Sequence, residues 1–284
     1  MPKVSALMPV YNTDLAYLKE SIQSVLNQSF SDFELLILND SPQNIELENC
    51  ILEYAKKDKR IQYFKNPRNL GISLSRNKLI DLAKGEFLAV IDHDDVSVEK
   101  RFEKELAFLE ENKEIGVVGG YYEDMLSHKI HKFPLQDAEI KIALMYFCAF
   151  CHPSTMIRKS VLEFNKLRYN AFYSPCEDYK LWCDLIAFTD FANLDEVLIK
   201  YKSFYNTTTE KKTKIRQLYS AIVKSSNEAY PQLSDIAYEY LPYECKSTVS
   251  IFGIPLFAII KKNTYTKIKL FDKIGLLKIK KDLI

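Results

Sequence analysis

Three continuous apolar runs, at residues 4–10, 33–38 and 87–91, each end abruptly in polar side chains. Unbroken apolar runs of this length are typical of strands that are buried on both faces, as in parallel sheets. The first run is followed by apolar residues at helical spacing, such as Leu18 and Ile22, and helical patterns follow the other two runs as well. This alternation predicts an α/β fold with a mainly parallel sheet and helices on both faces.

The polar residues that follow these runs are expected to meet at one edge of the sheet. They are Tyr11 and Asn12, then Asn39 and Asp40, and finally the segment 92–95. In open α/β sheets, ligands bind at the carboxyl ends of the strands. The sequence therefore predicts the ligand site at this edge.

The segment 92–95 reads Asp-His-Asp-Asp, which places three carboxylates within four residues. Such carboxylates repel one another unless a cation lies among them, and magnesium-type ions bind carboxylate oxygens together with substrate phosphates. A solvated acidic turn is the alternative. The position directly after a buried strand favours a site for Mn²⁺ or Mg²⁺.

Three further positions each have two interpretations. Asp40 is either a turn residue or an acceptor for the N3–H group of uracil. Arg76 either lies on a helix surface or reaches a diphosphate or a base. Glu177 and Asp178 begin a predicted helix, where the dipole stabilises carboxylates, and the other interpretation is a general base for an acceptor hydroxyl. These residues alone do not decide between the two.

Residues 148–152 read Cys-Ala-Phe-Cys-His, the pattern of covalent haem attachment and a possible source of zinc ligands. Haem attachment requires export, and no export signal is present. A structural zinc site needs a second pair of ligands, and the other cysteines form no Cys-x-x-Cys. Buried thiols are therefore the favoured interpretation, and the six cysteines fit a reduced, cytoplasmic protein.

The formal net charge of +1 conceals a basic C-terminal segment. Residues 246–284 carry nine Lys and two Asp, a net of +7, so the rest of the chain carries −6. The near-neutral total argues against a nucleic-acid partner, whereas the basic segment favours an anionic membrane surface. Similar apolar segments closed by two lysines recur at 250–262 and 269–281. They suit interfacial segments, with a packed helix pair or an oligomer contact as the alternative.

A series of blocks in the first two thirds of the chain resembles the inverting glycosyltransferase family two. The blocks lie at 4–12, 24–30, 33–40, 69–77, 85–87, 92–95, 151–158 and 177–182. This resemblance implies a GT-A fold, with a nucleotide-sugar-binding and catalytic domain at 1–205. A helical, basic C-terminal extension at 206–284 is expected to face the membrane or the acceptor.

By position, the resemblance implies roles for eight side chains. They are Tyr11 and Asp40 at the uridine base, Arg76 near the nucleotide, Asp92 at the ribose, Asp94 and Asp95 at the metal of a DXD-type motif, Asp178 as catalytic base, and His152 near the diphosphate or acceptor. The chain departs from the family after the second strand. Asn39 replaces the first of two aspartates and Ser41-Pro42 replaces Gly-Ser, so the shape of this loop is expected to differ.

The activity that the resemblance implies is metal-dependent, inverting transfer of a hexose from a UDP-sugar to a hydroxyl of a lipid-linked oligosaccharide. Galactose, glucose and their N-acetyl forms are the candidate sugars. The tail is similar to those of bacterial lipopolysaccharide and lipooligosaccharide transferases, which implies a peripheral protein on the inner face of the plasma membrane. A nucleotidyltransferase is one alternative, although the Gly-rich basic loop that it needs does not follow Tyr11. A non-catalytic nucleotide- or glycan-binding module, which would not need Asp178, is the other.

Overall fold

The computed structural model describes the backbone of residues 1–202, 209–240, 245–251, 254–262, 265–270 and 277–279. Side chains are described within 1–202 and 210–237, apart from residue 211. The chain divides into two compact units, Met1–Ala229 and Tyr230–Ile284. The first unit therefore includes a helix that the predicted boundary at residue 205 assigned to the extension.

A nine-stranded sheet forms the centre of the first unit. Its strands are β1 (Val4–Val10), β2 (Phe33–Asn39), β3 (Ile61–Lys65), β4 (Phe87–Val90), β5 (Val96–Ser97), β6 (Ile115–Asp124), β7 (Ile130–His131), β8 (Met156–Arg158) and β9 (Asp190–Tyr201). The order is β3-β2-β1-β4-β8-β6-β9-β5, and β7 pairs with β6. Strands β1 to β4 are parallel, as is the β6–β9 pair, whereas β8 is antiparallel to both of its neighbours. The α/β prediction is confirmed.

Eight helices cover this sheet within the described part of the first unit. They are α1 (Leu15–Leu26), α2 (Ile45–Lys57), α3 (Ile72–Leu82), α4 (Arg101–Glu111), α5 (Asp137–Leu144), α6 (Lys159–Phe164), α7 (Glu177–Leu185) and α8 (Thr209–Ala229). Helix α1 begins after the capping residue Asp14, whose side chain accepts a hydrogen bond from the amide of Ala16. Asn44 caps α2 in the same way.

The apolar core forms where these helices pack on the strands. Alternate residues of β1 join α1, α2 and α4 in one buried cluster, in which Met8, Ile22 and Leu106 take part. Leu79 and Ile80 of α3 are buried outside that cluster, on the opposite face of β1. Helices on both faces leave the strand ends as the open edge of the sheet.

Arg101, the first residue of α4, is fully buried and ties two strand ends together. Its Nη2 donates to the carbonyl oxygens of Val90 and Thr155, both at 3.0 Å. Its Nε donates to Glu105 Oε2 at 3.0 Å. Burial raises the pKa of Glu105 to about 8, and the Arg101 charge opposes that shift. This contact fixes the end of β4, just before the acidic segment 92–95.

The second unit begins with α9 (Pro231–Tyr240) and continues in an antiparallel sheet. Its strands are β10 (Cys245–Ile251), β11 (Ile254–Lys262), β12 (Tyr265–Leu270) and β13 (Leu277–Ile279), paired in that order. The chain was predicted to be helical here, but its described segments between Cys245 and Ile279 are strands. In β12, apolar Ile268 and Leu270 alternate with lysines, which is the two-residue period of a strand.

The predicted partner of the basic segment 246–284 is an anionic membrane surface. Side chains beyond residue 237 lie outside the described residues, so the membrane contact of the basic segment stays a prediction. No helix among the described residues is long and apolar enough to cross a bilayer.

Candidate active site

Two cavities open at the carboxyl edge of the sheet, on either side of the acidic segment 92–95. The large cavity, of about 370 Å³, is lined by Arg76, Asp92, His152, Glu177 and Asp178 among others. The small cavity, of about 220 Å³, has largely apolar walls and is lined by Tyr11, Asp40, Asn69, Gly71 and His93 among others. Six of the eight predicted side chains thus line one of these two cavities. Asp94 and Asp95 line neither, but they follow Asp92 and His93, which line the large and the small cavity.

Asp40 lines the small cavity and binds the loop that forms one of its walls. Its carboxylate accepts hydrogen bonds from the amides of Leu70 and Gly71, both at 2.9 Å, and from Asn66 Nδ2 at 2.7 Å. Gly71 has a φ of +84°, a conformation that favours glycine. Asp40 therefore holds the 69–71 loop in place and leaves limited capacity for one further hydrogen bond to a ligand.

The residues that depart from the family pattern close the loop after β2. Asn39 Oδ1 accepts a hydrogen bond from the amide of Ser41 at 2.8 Å. Ser41 Oγ in turn accepts one from the amide of Asn12 at 2.8 Å. These bonds join the ends of β1 and β2. Asn39 and Ser41 thus stabilise this loop, where the family pattern has an aspartate and Gly-Ser. Tyr11 lies at the rim, where its side chain is exposed.

Arg76 of α3 is buried at the wall of the large cavity between two carboxylates. Its Nη1 donates to Glu177 Oε1 at 2.7 Å, and its Nη2 donates to Asp92 Oδ1 at 2.8 Å. Arg76 Nε and Glu177 Oε2 are buried and have no hydrogen-bond partner among the described residues. Unsatisfied polar atoms at a cavity wall are groups that a polar ligand can satisfy.

Asp178 lies in the first turn of α7 and faces the same cavity. Burial, followed by the charge of Glu177, raises the pKa of Asp178 to about 6. A carboxylate with a pKa close to neutrality is suited to accept a proton from a substrate. Asp178 therefore fits both interpretations: it lies at the start of a helix, and its carboxylate faces the cavity as a general base would.

His152 lies in the 3₁₀ turn before β8, opposite Arg76. Its Nε2 is 2.9 Å from the hydroxyl of Tyr169, while its Nδ1 has no partner among the described residues. Burial, with the charge of Arg76 adding to it, lowers the pKa of His152 well below its usual value. The imidazole is therefore neutral and presents one nitrogen for a hydrogen bond to a ligand.

The cysteines beside His152 are thiols. Cys148 and Cys151 line the large cavity, and burial raises the pKa of both well above the usual value. Among the described residues, no group of three or more His, Cys, Asp or Glu side chains is arranged to hold a metal ion. The raised pKa values keep both cysteines in the thiol form that the sequence interpretation favoured.

The acidic turn has the donor set for a cation that is shared with a ligand. Burial, together with the negative charge of Asp92, raises the pKa of Asp94 and of Asp95. Asp95 Oδ1 accepts a hydrogen bond from the amide of Lys202 at 2.8 Å, and its buried Oδ2 has no partner among the described residues. In contrast, the guanidinium of Arg76 overcomes the effect of burial and lowers the pKa of Asp92. Since ions of the magnesium type complete their coordination with substrate phosphates, two carboxylates fit such an ion here.

Several residues of the site were not predicted. His93 lies within the acidic segment, where its Nδ1 is 3.1 Å from the carbonyl oxygen of Pro9, and it lines the small cavity. Glu177 was a candidate together with Asp178, but its contact with Arg76, which spans 101 positions of sequence, was not predicted. Lys202, directly after β9, and Tyr219 of α8 also reach the site, and no sequence pattern pointed to either.

Comparisons with solved structures agree with this fold. The chain is similar to S. aureus TarS 1–349 in complex with UDP, with a TM-score of 0.63 and 18% identity over 84% of this chain and 71% of that one. A second neighbour is the mannosyltransferase PcManGT of Pyrobaculum calidifontis in complex with GDP-Man and Mn²⁺, with a TM-score of 0.62 and 10% identity over 85% and 71% of the two chains. The GT-A-like fold predicted from the sequence is confirmed.

Sequence relatives identify the family. An uncharacterized glycosyltransferase of Methanocaldococcus jannaschii is 36% identical over 225 residues, which cover 77% of each chain. The O-antigen biosynthesis glycosyltransferase WbnJ of Escherichia coli is 30% identical over 73% of this chain and 82% of that one. Residues 5–164 match the model of glycosyl transferase family 2. Since this match covers more than half of the chain, the protein belongs to glycosyl transferase family 2.

Proposed function

We propose that this glycosyltransferase moves a hexose from a UDP-sugar to a hydroxyl group of a lipid-linked oligosaccharide, with inversion at the anomeric carbon. The observation that carries the proposal is the position of Asp178. Its carboxylate faces the same cavity as Arg76, Asp92 and His152 and has a pKa raised to about 6. A proton acceptor at a cavity of this polarity fits an attack by a hydroxyl group.

The two cavities accommodate the two ends of such a donor. The small, largely apolar cavity fits a planar base between Tyr11 and Gly71, with Asp40 beneath it. The large cavity, with its unsatisfied polar atoms, fits the sugar and the acceptor. The structures of TarS with UDP and with UDP-GlcNAc support a nucleotide-sugar donor of this type.

Asp94 and Asp95 would hold Mn²⁺ or Mg²⁺, as the Mn²⁺ in the PcManGT structure supports. Such an ion, when bound, neutralises the charge of a departing diphosphate. Asp92 and His93, directly before these two aspartates, line the large and the small cavity, so a diphosphate that joins a base in one to a sugar in the other would pass close to this turn.

The remaining side chains position the reactants. Asp178 accepts the proton of the acceptor hydroxyl, and that oxygen then attacks the anomeric carbon from the face opposite the leaving group, which inverts the configuration. Arg76 holds Asp92 in place through a charge-assisted hydrogen bond, the stronger kind of protein hydrogen bond. The neutral His152 offers Nδ1 to a hydroxyl group of the donor or acceptor.

The acceptor class rests on relatives and on charge. WbnJ is named for O-antigen biosynthesis, and the basic segment 246–284 carries a net charge of +7. A lipid-linked acceptor would bring the enzyme to the anionic cytoplasmic leaflet, where each lysine near the surface contributes about 1 kcal/mol. We therefore place the protein at the inner face of the plasma membrane, in the synthesis of a bacterial surface glycan.

The test is release of the nucleotide product. Purified protein is incubated with Mn²⁺, a crude lipid–oligosaccharide extract and a panel of UDP-sugars, with GDP-mannose included, in the presence and absence of EDTA. We expect UDP release from one donor, and loss of that release with EDTA. Binding of UDP without any turnover would indicate a binding module, and release of pyrophosphate would indicate a nucleotidyltransferase.

The variant Asp178→Asn tests the base. Removal of a general base lowers turnover by about 10²–10⁴-fold, while UDP affinity in calorimetry stays close to that of the unchanged protein. Asp184→Asn, on the same helix but paired with Lys180, is the matched control and retains activity. Normal turnover in Asp178→Asn would refute the assignment.

A further inference from the structure

The imidazole of His152 is held between two aromatic rings in the wall of the large cavity. It meets the ring of Tyr169 edge-on, with centroids 5.6 Å apart, and lies tilted against Trp182 at 5.9 Å. All three side chains are buried. Among the described residues, the imidazole has one polar contact, between Nε2 and the hydroxyl of Tyr169 at 2.9 Å, and its Nδ1 has none. The position of the proton in that contact therefore decides what Nδ1 presents to a ligand.

Tyr169 is itself fixed by two consecutive residues of α3. Asn77 Nδ2 donates to the carbonyl oxygen of Tyr169, and Asn77 Oδ1 accepts from the amide of Tyr169, both at 2.8 Å. The guanidinium of Arg76 lies over the Tyr169 ring, 5.6 Å from its centroid. The helix that places Arg76 against Asp92 therefore also places the hydroxyl that meets His152.

The direction of the hydrogen bond between Tyr169 and His152 follows from the acidity of the two groups. A neutral imidazole has one nitrogen that donates and one that accepts. A phenol, with an ordinary pKa of about 10, is a far better proton donor than a neutral imidazole N–H, and an imidazole nitrogen is a stronger base than a phenol oxygen. Burial keeps both groups neutral, because it raises the pKa of Tyr169 and lowers the pKa of His152. The hydroxyl therefore donates to Nε2, and the imidazole proton lies on Nδ1.

We propose that Tyr169 is a positioning residue for sugar transfer, because it holds His152 in the tautomer that carries its proton on Nδ1. In this tautomer, a side chain that lines the large cavity has a hydrogen-bond donor for the oxygen of a sugar hydroxyl. The opposite tautomer would present a lone pair at Nδ1, which is a proton acceptor instead.

This inference rests on the proposed function and deepens it. With Nε2 engaged by Tyr169 and Nδ1 protonated, His152 has no lone pair for the proton of an acceptor hydroxyl. That proton is left to Asp178, which lines the same cavity. Tyr169 thus gives the two side chains separate roles, since His152 orients a hydroxyl group and Asp178 deprotonates one.

The first experiment detects the tautomer directly by NMR. The full-length protein is labelled with nitrogen isotope in histidine only, and the chain has four histidines, so few signals overlap. His152→Ala identifies the signals of position 152 by their loss. Correlation spectra of ring protons and ring nitrogens distinguish a protonated nitrogen from a bare one, and we expect the proton on Nδ1. A proton on Nε2 would overturn the proposal, whether or not the protein transfers sugar.

The second experiment removes the hydroxyl alone. Tyr169→Phe keeps the ring beside Arg76 and the backbone contacts with Asn77. We expect the spectrum of His152 to show both tautomers, and kcat for sugar transfer to fall by up to about 10-fold, the effect of one lost hydrogen bond. The affinity for UDP in calorimetry is unchanged. A His152 that keeps its proton on Nδ1 alone in this variant would contradict the role of Tyr169.

Tyr173→Phe is the matched control. Tyr173 lies in the short 3₁₀ turn Ala171–Tyr173, and its hydroxyl has no hydrogen-bond partner among the described residues. We expect this variant to keep both the tautomer of His152 and the rate of transfer. An equal loss of activity in Tyr169→Phe and Tyr173→Phe would assign the effect to any lost hydroxyl in this part of the fold and refute the positioning role.

A double-mutant cycle shows whether Tyr169 acts through His152. Tyr169→Phe is made in the unchanged protein and in His152→Ala, and kcat/KM is measured for all four proteins. We expect Tyr169→Phe to have no further effect in His152→Ala. A purely structural role would lower activity by the same factor in both backgrounds, which would overturn the proposal. Absence of sugar transfer in the unchanged protein would refute the proposed function instead, and the NMR spectrum would still decide the tautomer.

Discussion

Two buried arginines, 25 positions apart, show how the same side chain serves structure in one region and a ligand site in the other. Arg101 donates four hydrogen bonds, to Glu105, Ser97 and two backbone carbonyls, and is enclosed on all sides. Arg76 donates to Glu177 and Asp92, but its Nε has no partner among the described residues, and it lines a cavity. The two arginines differ in whether a buried nitrogen is left without a hydrogen-bond partner among the described residues.

A guanidinium whose three nitrogens all have partners indicates a residue that contributes to stability, even though Oε1 of its partner Glu105 has none among the described residues. Incomplete pairing at a cavity wall indicates a residue that is held for a ligand, since the free energy cost of an unpaired buried donor persists until something binds. Burial alone does not distinguish these arginines, because both are buried. The three predictions below test whether the distinction holds.

The largest expected effect is the loss of Arg101. Arg101→Met leaves Glu105 and the carbonyls of Val90 and Thr155 without their donor, which lowers the free energy of unfolding by about 3–5 kcal/mol. Thermal denaturation measures it, as a fall in the melting temperature of roughly 10 °C. Replacing the whole pair, Arg101→Met with Glu105→Leu, recovers part of this loss, because no unpaired charge is then left buried, whereas the carbonyls of Val90 and Thr155 still lack their donor. A melting temperature unchanged in the single variant would break the comparison.

The loss of Arg76 is expected to affect sugar transfer more than stability. Arg76→Gln removes a charge-assisted contact of about 1.5–3 kcal/mol, so turnover falls roughly 10–100-fold. The unfolding free energy falls by less than in Arg101→Met, because water in the large cavity solvates the released carboxylate of Asp92. Steady-state kinetics and denaturant unfolding on the same preparation check both parts. Equal destabilisation by the two arginine variants would erase the distinction between them.

The smallest expected effect is that of replacing Glu177, which binds Arg76 and whose charge acts on Asp178. Glu177→Gln retains an acceptor for Arg76 Nη1 but removes the negative charge that helps to raise the pKa of Asp178. Asp178 must be deprotonated to act, so activity is lost as the pH falls through about 6. In the variant this acid limb moves to lower pH, but only in part, because burial is the larger cause and persists. The pH profile of kcat/KM measures the shift, and a limb that moves to higher pH would contradict the assigned cause.

Local sequence patterns predicted most of what positions the site. The apolar runs that became β1, β2 and β4 each end where a predicted polar group lies, and the parallel pairing brings those ends together. Whether a segment forms a buried strand depends mainly on the residues of that segment, so the sequence pattern indicates it directly. The convergence of Asp40 and the 92–95 segment at one edge followed from topology alone.

Contacts between distant parts of the chain were not predictable in this way. Arg76 meets Glu177 across 101 positions, and no periodicity links them. The parallel pairing of β6 with β9 likewise depends on the fold as a whole. In the second unit a local pattern was present but misinterpreted. The alternation in β12 is typical of a strand, whereas the prediction for this region was a helical extension with interfacial segments.

The hydrogen bond from the amide of Lys202 to Asp95 has a consequence for how this site can change over generations. A backbone donor is supplied by every amino acid except proline, so the anchor of the acidic turn does not depend on which side chain occupies position 202. That side chain can therefore change while this hydrogen bond is kept, although the charge of Lys202 also opposes the rise in the pKa of Asp94. A library randomised at position 202 and sorted for folded protein should return every residue but proline.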